Sequence, residues 1–424
     1  MQILIAAGGT GGHIYPALAV ARALTKRTPP PELHWIGGHR GLEAGIVPGT
    51  GVPLTRLLLR SLRTVDLSVA AAVDPLRLSL SYPQALALLG RRRPAAIFTT
   101  GGYVSLPVAM AAATLRIPML VWEGNVVPGR STRVVARLAA CSAVSFVQTC
   151  RTLRDPCFRT GTPIRDLAGT DSLAARRRFE VPADARCLLL FGGSQAVARF
   201  DAAVDQALPE LIGRAVVLHV TGEEGFDAAL VRRERLAADI RPRYRPYPFL
   251  RDEMYDAYAA ADLVVGRAGS STIAETTAFG IPLVVVPYPH AAAHQAANAR
   301  MVEEAGAGWV IPDEAFDGAA LVEAMAILGD PRRHLEMSAA SRGLGRPGAA
   351  DAVAELVLAL AERRPLPGPD EIERLSRVGE GVPVGPAERS AEMPDEILDE
   401  TQGDAPGETQ RDAPAEAPAG APAR

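Results

Sequence analysis

Two short stretches carry side chains that could do chemistry. The first is Gly8-Gly-Thr-Gly-Gly12-His13, which follows an apolar run at residues 2–7. Glycines let backbone approach a ligand closely, and the N–H groups at a helix start favour an anion. His13 stands between these glycines and an alanine-rich helical stretch, where a neutral imidazole could accept a proton. The alternative role for His13 is a side chain that caps the helix. The second stretch runs Gly266-Arg-Ala-Gly269, then Ser270-Ser271-Thr272, then Glu275 one turn later. Hydroxyl residues after a glycine break are expected to cap a helix reaching about Phe279. The helix start suits a phosphate. A carboxylate one turn in cannot bind phosphate, but it can accept hydrogen bonds from both hydroxyls of a ribose. The stretch could therefore hold a nucleotide by diphosphate and sugar together. The alternative is an ordinary capped helix between two core strands.

These residues need elements to position them. Residues 2–7, 34–38, 95–99, 119–121 and 144–146 read as buried strands, and residues 187–191, 216–220, 262–265 and 283–286 repeat the pattern. Helices are expected to about Arg27 with Pro16 at the first helical position, towards Leu208, from about Asp252, and over 349–363. Glycine loops recur as Thr100-Gly101-Gly102 and Gly192-Gly193-Ser194-Gln195. A strand, a double-glycine loop and a helix thus occur at Gly8 and again at Gly192. That repetition implies two similar α/β domains facing a cleft, with the loops at the carboxyl edges of parallel sheets. The proline-stiffened GTPIR at Gly161 reads as the crossing between them.

Composition narrows the field. The 424 residues are 48% hydrophobic and only 5% aromatic, enough for two α/β cores built from aliphatics. Lys26 is the only lysine, and the net charge is -3. Residues 370–424 hold 14 Asp+Glu and 5 Arg, a balance of -9, so the remainder carries +6. A mildly basic body suits an anionic ligand or membrane surface. The stretch 365–424, rich in Pro, Ala, Gly, Glu and Asp, reads as disordered. The four cysteines lack C-x-x-C spacing and are expected to be small core residues in a reducing compartment, neither zinc ligands nor disulfides. No leader peptide, spanning segment or metal-ligand cluster is expected.

Six ordered motifs then carry a resemblance over residues 1–365. They are GGTGGHIYPALAVA at Gly8, TGGYVSLP at Thr100, EGNVVPG at Glu123, GTPIR at Gly161, FGGSQA at Phe191, and RAGSSTIAE at Arg267 with PYPHAAAHQAANA at Pro287. Together they resemble the MurG transferases of glycosyltransferase family 28, which move N-acetylglucosamine from UDP to undecaprenyl-pyrophosphoryl-muramyl-pentapeptide (lipid I) to make lipid II for peptidoglycan. The resemblance implies the GT-B architecture, two Rossmann-like domains around a cleft. It divides the chain into an acceptor and membrane-side domain (1–164), a UDP-sugar domain (165–345), a helix returning to the first domain (346–364) and the tail (365–424).

The same resemblance implies roles. Thr10, Gly11 and Gly12 line the donor sugar and diphosphate, and His13 is the general base. Asn125 contacts the donor sugar, and Arg165 and Ser194 meet the diphosphate. Ser270, Ser271 and Thr272 bind phosphate and uridine, Glu275 takes the ribose diol, and Gln295 holds the sugar hydroxyls. The uracil contact falls at Leu250, or at Arg251, because that loop is one residue longer than the family pattern. Departures occur at Trp122 and Gly124 (His and Gln in the family), Leu106 (Gly) and Thr162 (Asn). Inversion at the anomeric carbon in one displacement is implied, with UDP leaving and no cofactor or nucleic acid involved. Rival readings are a UDP-N-acetylglucosamine 2-epimerase, a donor-binding subunit without catalysis, and a transferase with another lipid acceptor.

A lipid acceptor implies docking at the cytoplasmic face of the cell membrane. The segment 57–93 is expected to do this, with Leu57, Leu58, Leu59, Leu62, Leu76, Leu78, Leu80 and Tyr82 beside Arg60, Arg63, Arg77 and Arg91-Arg92-Arg93. The alternative is that these leucines belong to the core and the arginines to its solvated face.

Overall fold

The computed structural model describes residues 1–39, 41–59, 69–192, 197–289 and 294–379, with backbone alone for 69–79 and 197. Its strands are short, β-branched or aliphatic runs buried on both faces, the pattern of parallel sheets covered by helices. The first sheet contains β1 (Gln2–Ala6), β2 (Glu32–Gly38), β3 (Leu54–Leu57), β4 (Ala96–Thr99), β5 (Met119–Glu123), β6 (Cys141–Val144) and β7 (Cys157–Arg159). Its order is β3-β2-β1-β4-β5-β6-β7. The second contains β8 (Cys187–Phe191), β9 (Val216–Val220), β10 (Tyr244–Tyr247), β11 (Leu263–Gly266), β12 (Leu283–Val285) and β13 (Gly308–Val310), in the order β10-β9-β8-β11-β12-β13. All the described pairings are parallel.

The two sheets share one topology, since each starts in the middle, runs outward, and then crosses to the other side. The switch points lie between β1 and β4 and between β8 and β11. Ligands of doubly wound sheets bind in those crevices. The loops after β1 and β4 are the glycine loops at Gly8 and Thr100, and the loops after β8 and β11 begin at Gly192 and Arg267. The glycine-rich loops at Gly8, Thr100 and Arg267 thus sit at the switch points, and the one at Gly192 starts at one.

The helix Ala349–Ala361 returns to the first domain, where Val353, Leu356 and Val357 are fully buried with Ile3, Ile5 and Phe98. No helix among the described residues is long and apolar enough to cross a membrane.

Several expectations are corrected. The first helix runs Gly11–Thr25 with Thr10 at its N-cap, so Pro16 lies inside it and not at its start. Gly11 and Gly12 wind into the first turn, whose N–H groups need no intrahelical partner. The first sheet closes on β7, beyond the strand expected at 144–146. Cys150 and Cys157 form a disulfide, because a tight seven-residue excursion brings their Cα atoms to 5.7 Å; Cys141 and Cys187 are free and buried. The stretch expected to be disordered contains a helix, Pro369–Arg377, with Ile372 fully buried in the first core. Residues 380–424 lie outside the described residues. Leu57 and Leu59 belong to the core and not to an exposed docking face.

Candidate active site

In the first domain, backbone and side chains lock the two glycine loops together. Glu43 is fully buried. It accepts the N–H of Gly9 at 2.9 Å, the N–H of Gly38 at 2.8 Å and the hydroxyl of Tyr103 at 2.9 Å. Gly9 and Gly102 both have positive φ, and a methyl on Gly102 would lie 3.2 Å from the carbonyl oxygen of Gly8. Only glycine allows this approach.

His13 reaches across the switch point. Its Nδ1 lies 2.7 Å from the carbonyl oxygen of Thr100, whose hydroxyl donates to the carbonyl of His13 at 3.0 Å. A carbonyl can only accept, so Nδ1 carries the proton and the lone pair of the neutral ring is on Nε2. Nδ1 is thus engaged with the Thr100 carbonyl of the neighbouring loop. A methyl on Gly101 would lie 2.8 Å from the hydroxyl of Thr132 and 3.9 Å from the His13 ring, and one on Gly129 would lie 3.6 Å from that hydroxyl and 3.8 Å from Glu123. His13 is therefore continuous with the loop that carries Asn125. Thr10, Gly11 and Gly12 border the same crevice at the start of the Gly11–Thr25 helix.

Glu123 organises that loop. Its carboxylate accepts the backbone and side-chain N–H of Asn125 at 3.0 and 2.9 Å and the N–H of Gly129 at 3.0 Å. The side-chain oxygen of Asn125 accepts from Asn298 at 3.1 Å. Asn298, fully buried on the helix His294–Glu304 of the second domain, also donates to the carbonyl of Ala268 at 3.1 Å and accepts the N–H of Val126 at 3.0 Å. This seam joins the two domains beside the β11 loop. Gln295, one turn earlier, accepts the N–H of Tyr288 at 2.8 Å, which fixes its amide with the nitrogen outward.

The β11 loop enters the helix Ser270–Ala278 through Gly269. Gly269, and not a hydroxyl residue, is the N-cap, and no side chain caps the helix. Ser270, Ser271 and Thr272 instead form the first turn, and its backbone N–H groups face the crevice end of the sheet. Glu275 follows, half-buried, with Tyr258 donating to one oxygen at 3.1 Å and Tyr255 to the other at 3.4 Å. Burial pushes the Glu275 carboxyl up to about 7, against the opposing pull of Tyr258, Tyr255 and Arg165. Arg165 lies over the Tyr255 ring at 4.9 Å and pairs with Asp252 at 2.6 Å, and its backbone N–H donates to the Tyr255 hydroxyl. Arg165 and Glu275 thus share one patch, and Leu250 packs with Tyr255 in the adjoining core. Ser194 lies outside the described residues.

The departures at Trp122, Gly124 and Thr162 are structural. Trp122 is buried in the first core and donates to the carbonyl of Gly161 at 3.0 Å. A methyl on Gly124 would lie 2.7 Å from both the Ser270 hydroxyl and the Trp122 ring, so the small residue lets the second domain's helix seat on the loop. Thr162 is buried, in contact with the Ser145 hydroxyl at 2.7 Å. Leu106 is half-buried in the helix Ser105–Leu115.

Comparison with known proteins decides the family. The glycosyltransferase family 28 N-terminal domain matches residues 3–144, and the family's C-terminal domain matches 187–355. The chain belongs to glycosyltransferase family 28. Its family-28 relatives include the UDP-N-acetylglucosamine–N-acetylmuramyl-(pentapeptide) pyrophosphoryl-undecaprenol N-acetylglucosamine transferases of Desulforudis audaxviator and Moorella thermoacetica. The first is 39% identical over 85% of this chain and 99% of its own, and the second 38% identical over 85% and 100%. The crystal structure of Acinetobacter baumannii MurG superposes with a TM-score of 0.68 at 25% identity, covering 84% of this chain and 99% of that one. A Listeria monocytogenes protein described as a UDP-N-acetylglucosamine 2-epimerase shares the fold at 13% identity, with a TM-score of 0.62. The GT-B fold is therefore common to transferases and epimerases, and the family assignment rests on the two family-28 domains.

Sequence reasoning missed Glu43, Tyr255, Tyr258 and Asn298. Tyr255 and Tyr258 stand three apart, a helical spacing that could have flagged a shared face. Asn298 follows Gln295 at the same spacing. Glu43 has no such signal, because Gly9 and Tyr103, two of its three partners, are 34 and 60 residues away.

Proposed function

We propose that the chain transfers N-acetylglucosamine from UDP-N-acetylglucosamine to the 4-hydroxyl of lipid I, forming lipid II with inversion at the anomeric carbon. The observation that carries this reading is the tie between His13 Nδ1 and the Thr100 carbonyl, which puts the Nε2 lone pair of a neutral imidazole at the first domain's switch point. The acceptor hydroxyl attacks the anomeric carbon, His13 takes its proton, and the bond to the UDP oxygen breaks. A positioned base of this kind contributes about 10²–10⁴-fold. Negative charge develops on the leaving diphosphate. The N–H groups of Ser270, Ser271 and Thr272 and the guanidinium of Arg165 meet it, a form of stabilisation that needs no rearrangement during the reaction.

Glu275 accepts the ribose hydroxyls, with Leu250 beside the uracil. Asn125 and Gln295 hold the sugar from opposite domains, and Thr10, Gly11 and Gly12 close the first-domain side. No group of three or more His, Cys, Asp and Glu that could hold a metal ion occurs among the described residues.

The acceptor's lipid makes the enzyme peripheral to the membrane, at the cytoplasmic face where UDP-sugars are found. Support for a docking face comes from exposed Leu58, Leu80, Met110, Leu115, Val134 and Leu138 on the β3 end and on the helices Val69–Arg92, Ser105–Leu115 and Arg130–Ala136. Arg91, Arg92, Arg93, Arg116, Arg133 and Arg137 are exposed among them. Leu62, Arg60 and Arg63, and the side chains of Leu76, Arg77 and Leu78, lie outside the described residues.

The test is purified protein with UDP-N-acetylglucosamine and a short-chain lipid I analogue. Formation of the disaccharide product supports the reading. UDP-N-acetylmannosamine formed without an acceptor would instead make the protein an epimerase.

A further inference from the structure

The chain crosses between the domains twice, outward through residues 161–165 and back through 345–348. The two crossings touch. Gly161 has φ +83°, and a methyl there would strike the Arg346 side chain. Arg346 is almost fully buried. One arm of its guanidinium donates to the carbonyls of Gly343, Leu344 and Gly345 at 3.1, 3.0 and 2.7 Å, satisfying the end of the second domain's helix Pro331–Leu344. The other arm donates to Glu373 at 2.7 Å.

Glu373 belongs to the helix Pro369–Arg377. It also pairs with Arg159 of β7 at 3.7 Å and with Arg377 at 3.0 Å. One carboxylate therefore faces three guanidinium groups. Burial lowers Arg346 to about 10, with Arg159 adding to the effect and Glu373 opposing it. The backbone joins in as well, since Gly348 N–H donates to the Ser376 carbonyl at 2.9 Å. A methyl on Gly348 would collide with the carbonyls of Leu375 and Val378. This helix follows the end of the family's C-terminal domain at residue 355. The relatives are matched over 99–100% of their own lengths by only 85% of this chain. The helix thus lies beyond the residues matched by the family's C-terminal domain.

We propose that Glu373 is a positioning residue at the hinge. Acting through Arg346, it ties the return crossing to β7 and to the outward crossing, which carries Arg165 four residues beyond Gly161. Two domains joined by two strands of chain move relative to each other unless something holds them. The C-terminal helix adds such a hold at the hinge, besides the seam at Asn125 and Asn298. It sets how the first domain's base and the second domain's donor site meet. The uridine and phosphate contacts at Leu250, Ser270, Ser271, Thr272 and Glu275 lie within the second domain and do not depend on it.

The turnover part of this inference rests on the proposed transfer reaction, so the test has two arms. Glu373→Gln keeps the shape and removes the charge. Its kcat for transfer should fall by about ten- to hundred-fold, the usual cost of misplacing reacting groups. Its Kd for UDP, most of whose contacts lie in the second domain, should stay within about twofold of wild type. Small-angle scattering should show a wider distribution of domain separations, and Glu373→Asp should recover part of both effects. Truncation after residue 379 should match wild type, and truncation after residue 366, which also removes Ile372 from the core, should lose at least as much as Glu373→Gln. Unchanged kcat and unchanged scattering in Glu373→Gln would overturn the proposal, even if the truncated protein fails to fold. Failure of the wild type to transfer sugar would overturn the function, and the scattering would still decide the hinge.

Discussion

Binding of the donor should release a proton, and Glu275 should be its source. The carboxyl is held up to about 7 by burial, with two tyrosine hydroxyls and Arg165 opposing the shift. Only the ionised form can accept hydrogen bonds from both ribose hydroxyls. With a midpoint near 7, about a tenth of the unliganded protein is ionised at pH 6 and about nine-tenths at pH 8. The Kd for UDP-N-acetylglucosamine should therefore be about tenfold weaker at pH 6 than its high-pH plateau, about 1.4 kcal/mol. UDP-N-acetylglucosamine is the right ligand because its diphosphate is esterified at both ends and does not titrate in this range.

Calorimetry in two buffers of different ionisation enthalpy reads the proton directly. Close to one proton should be released at pH 6 and about 0.1 at pH 8. Glu275→Gln should bind more weakly and show neither effect. The sign for stability follows from the same shift. The folded pKa lies above the ordinary glutamate value, so the unliganded fold holds a proton that the unfolded chain has lost between about pH 4.5 and 7. Stability from this group is full below that window and is lost as pH rises through it. At pH 8 Glu275→Gln should accordingly be more stable than wild type, by at most about 3 kcal/mol. A donor affinity independent of pH, with no proton released, would refute the placement of the ribose on Glu275.

Other outcomes follow from single contacts. Tyr258→Phe removes the donor at 3.1 Å from Glu275 while its ring keeps the stack at 5.8 Å on Phe279; the pH midpoint of donor binding should move above that of wild type, read by the same titration. Gly124→Ala should cost about 1–3 kcal/mol in melting experiments by overpacking against Ser270 and Trp122, and adding Ser270→Gly should restore part of it. Replacing Arg91, Arg92 and Arg93 by Glu should cut binding to anionic vesicles and slow transfer to a long-chain acceptor, with transfer to a short soluble acceptor unchanged.

Much of the fold is legible in the sequence because parallel strands are continuous apolar runs. β8 and β9 have the limits that their residues imply, and each glycine loop stands where its strand ends. β3, β7 and β13 are too short or too polar to show that pattern, and pairing to a neighbour makes them strands. The C-terminal helix is hidden for a compositional reason. Its proline and acidic residues read as disorder, yet Ile372 and the Glu373 ion pairs dock it onto the first domain. The disulfide is hidden because spacing does not reveal that the chain doubles back between Cys150 and Cys157. In the site, residues that sit in glycine-rich loops are visible from type and spacing. Those that hold them, such as Glu43 and Asn298, become visible only when distant loops meet.

A base in one domain deprotonates the acceptor hydroxyl as it attacks a donor bound mainly by the other. Single-turnover transfer from UDP-N-acetylglucosamine to a short-chain lipid I analogue, measured for wild type and His13→Ala, tests it most directly. The variant should transfer about a hundredfold or more slowly, with its donor Kd and melting temperature close to wild type. Transfer retained at the wild-type rate, or a large loss of melting temperature in its place, would contradict the account.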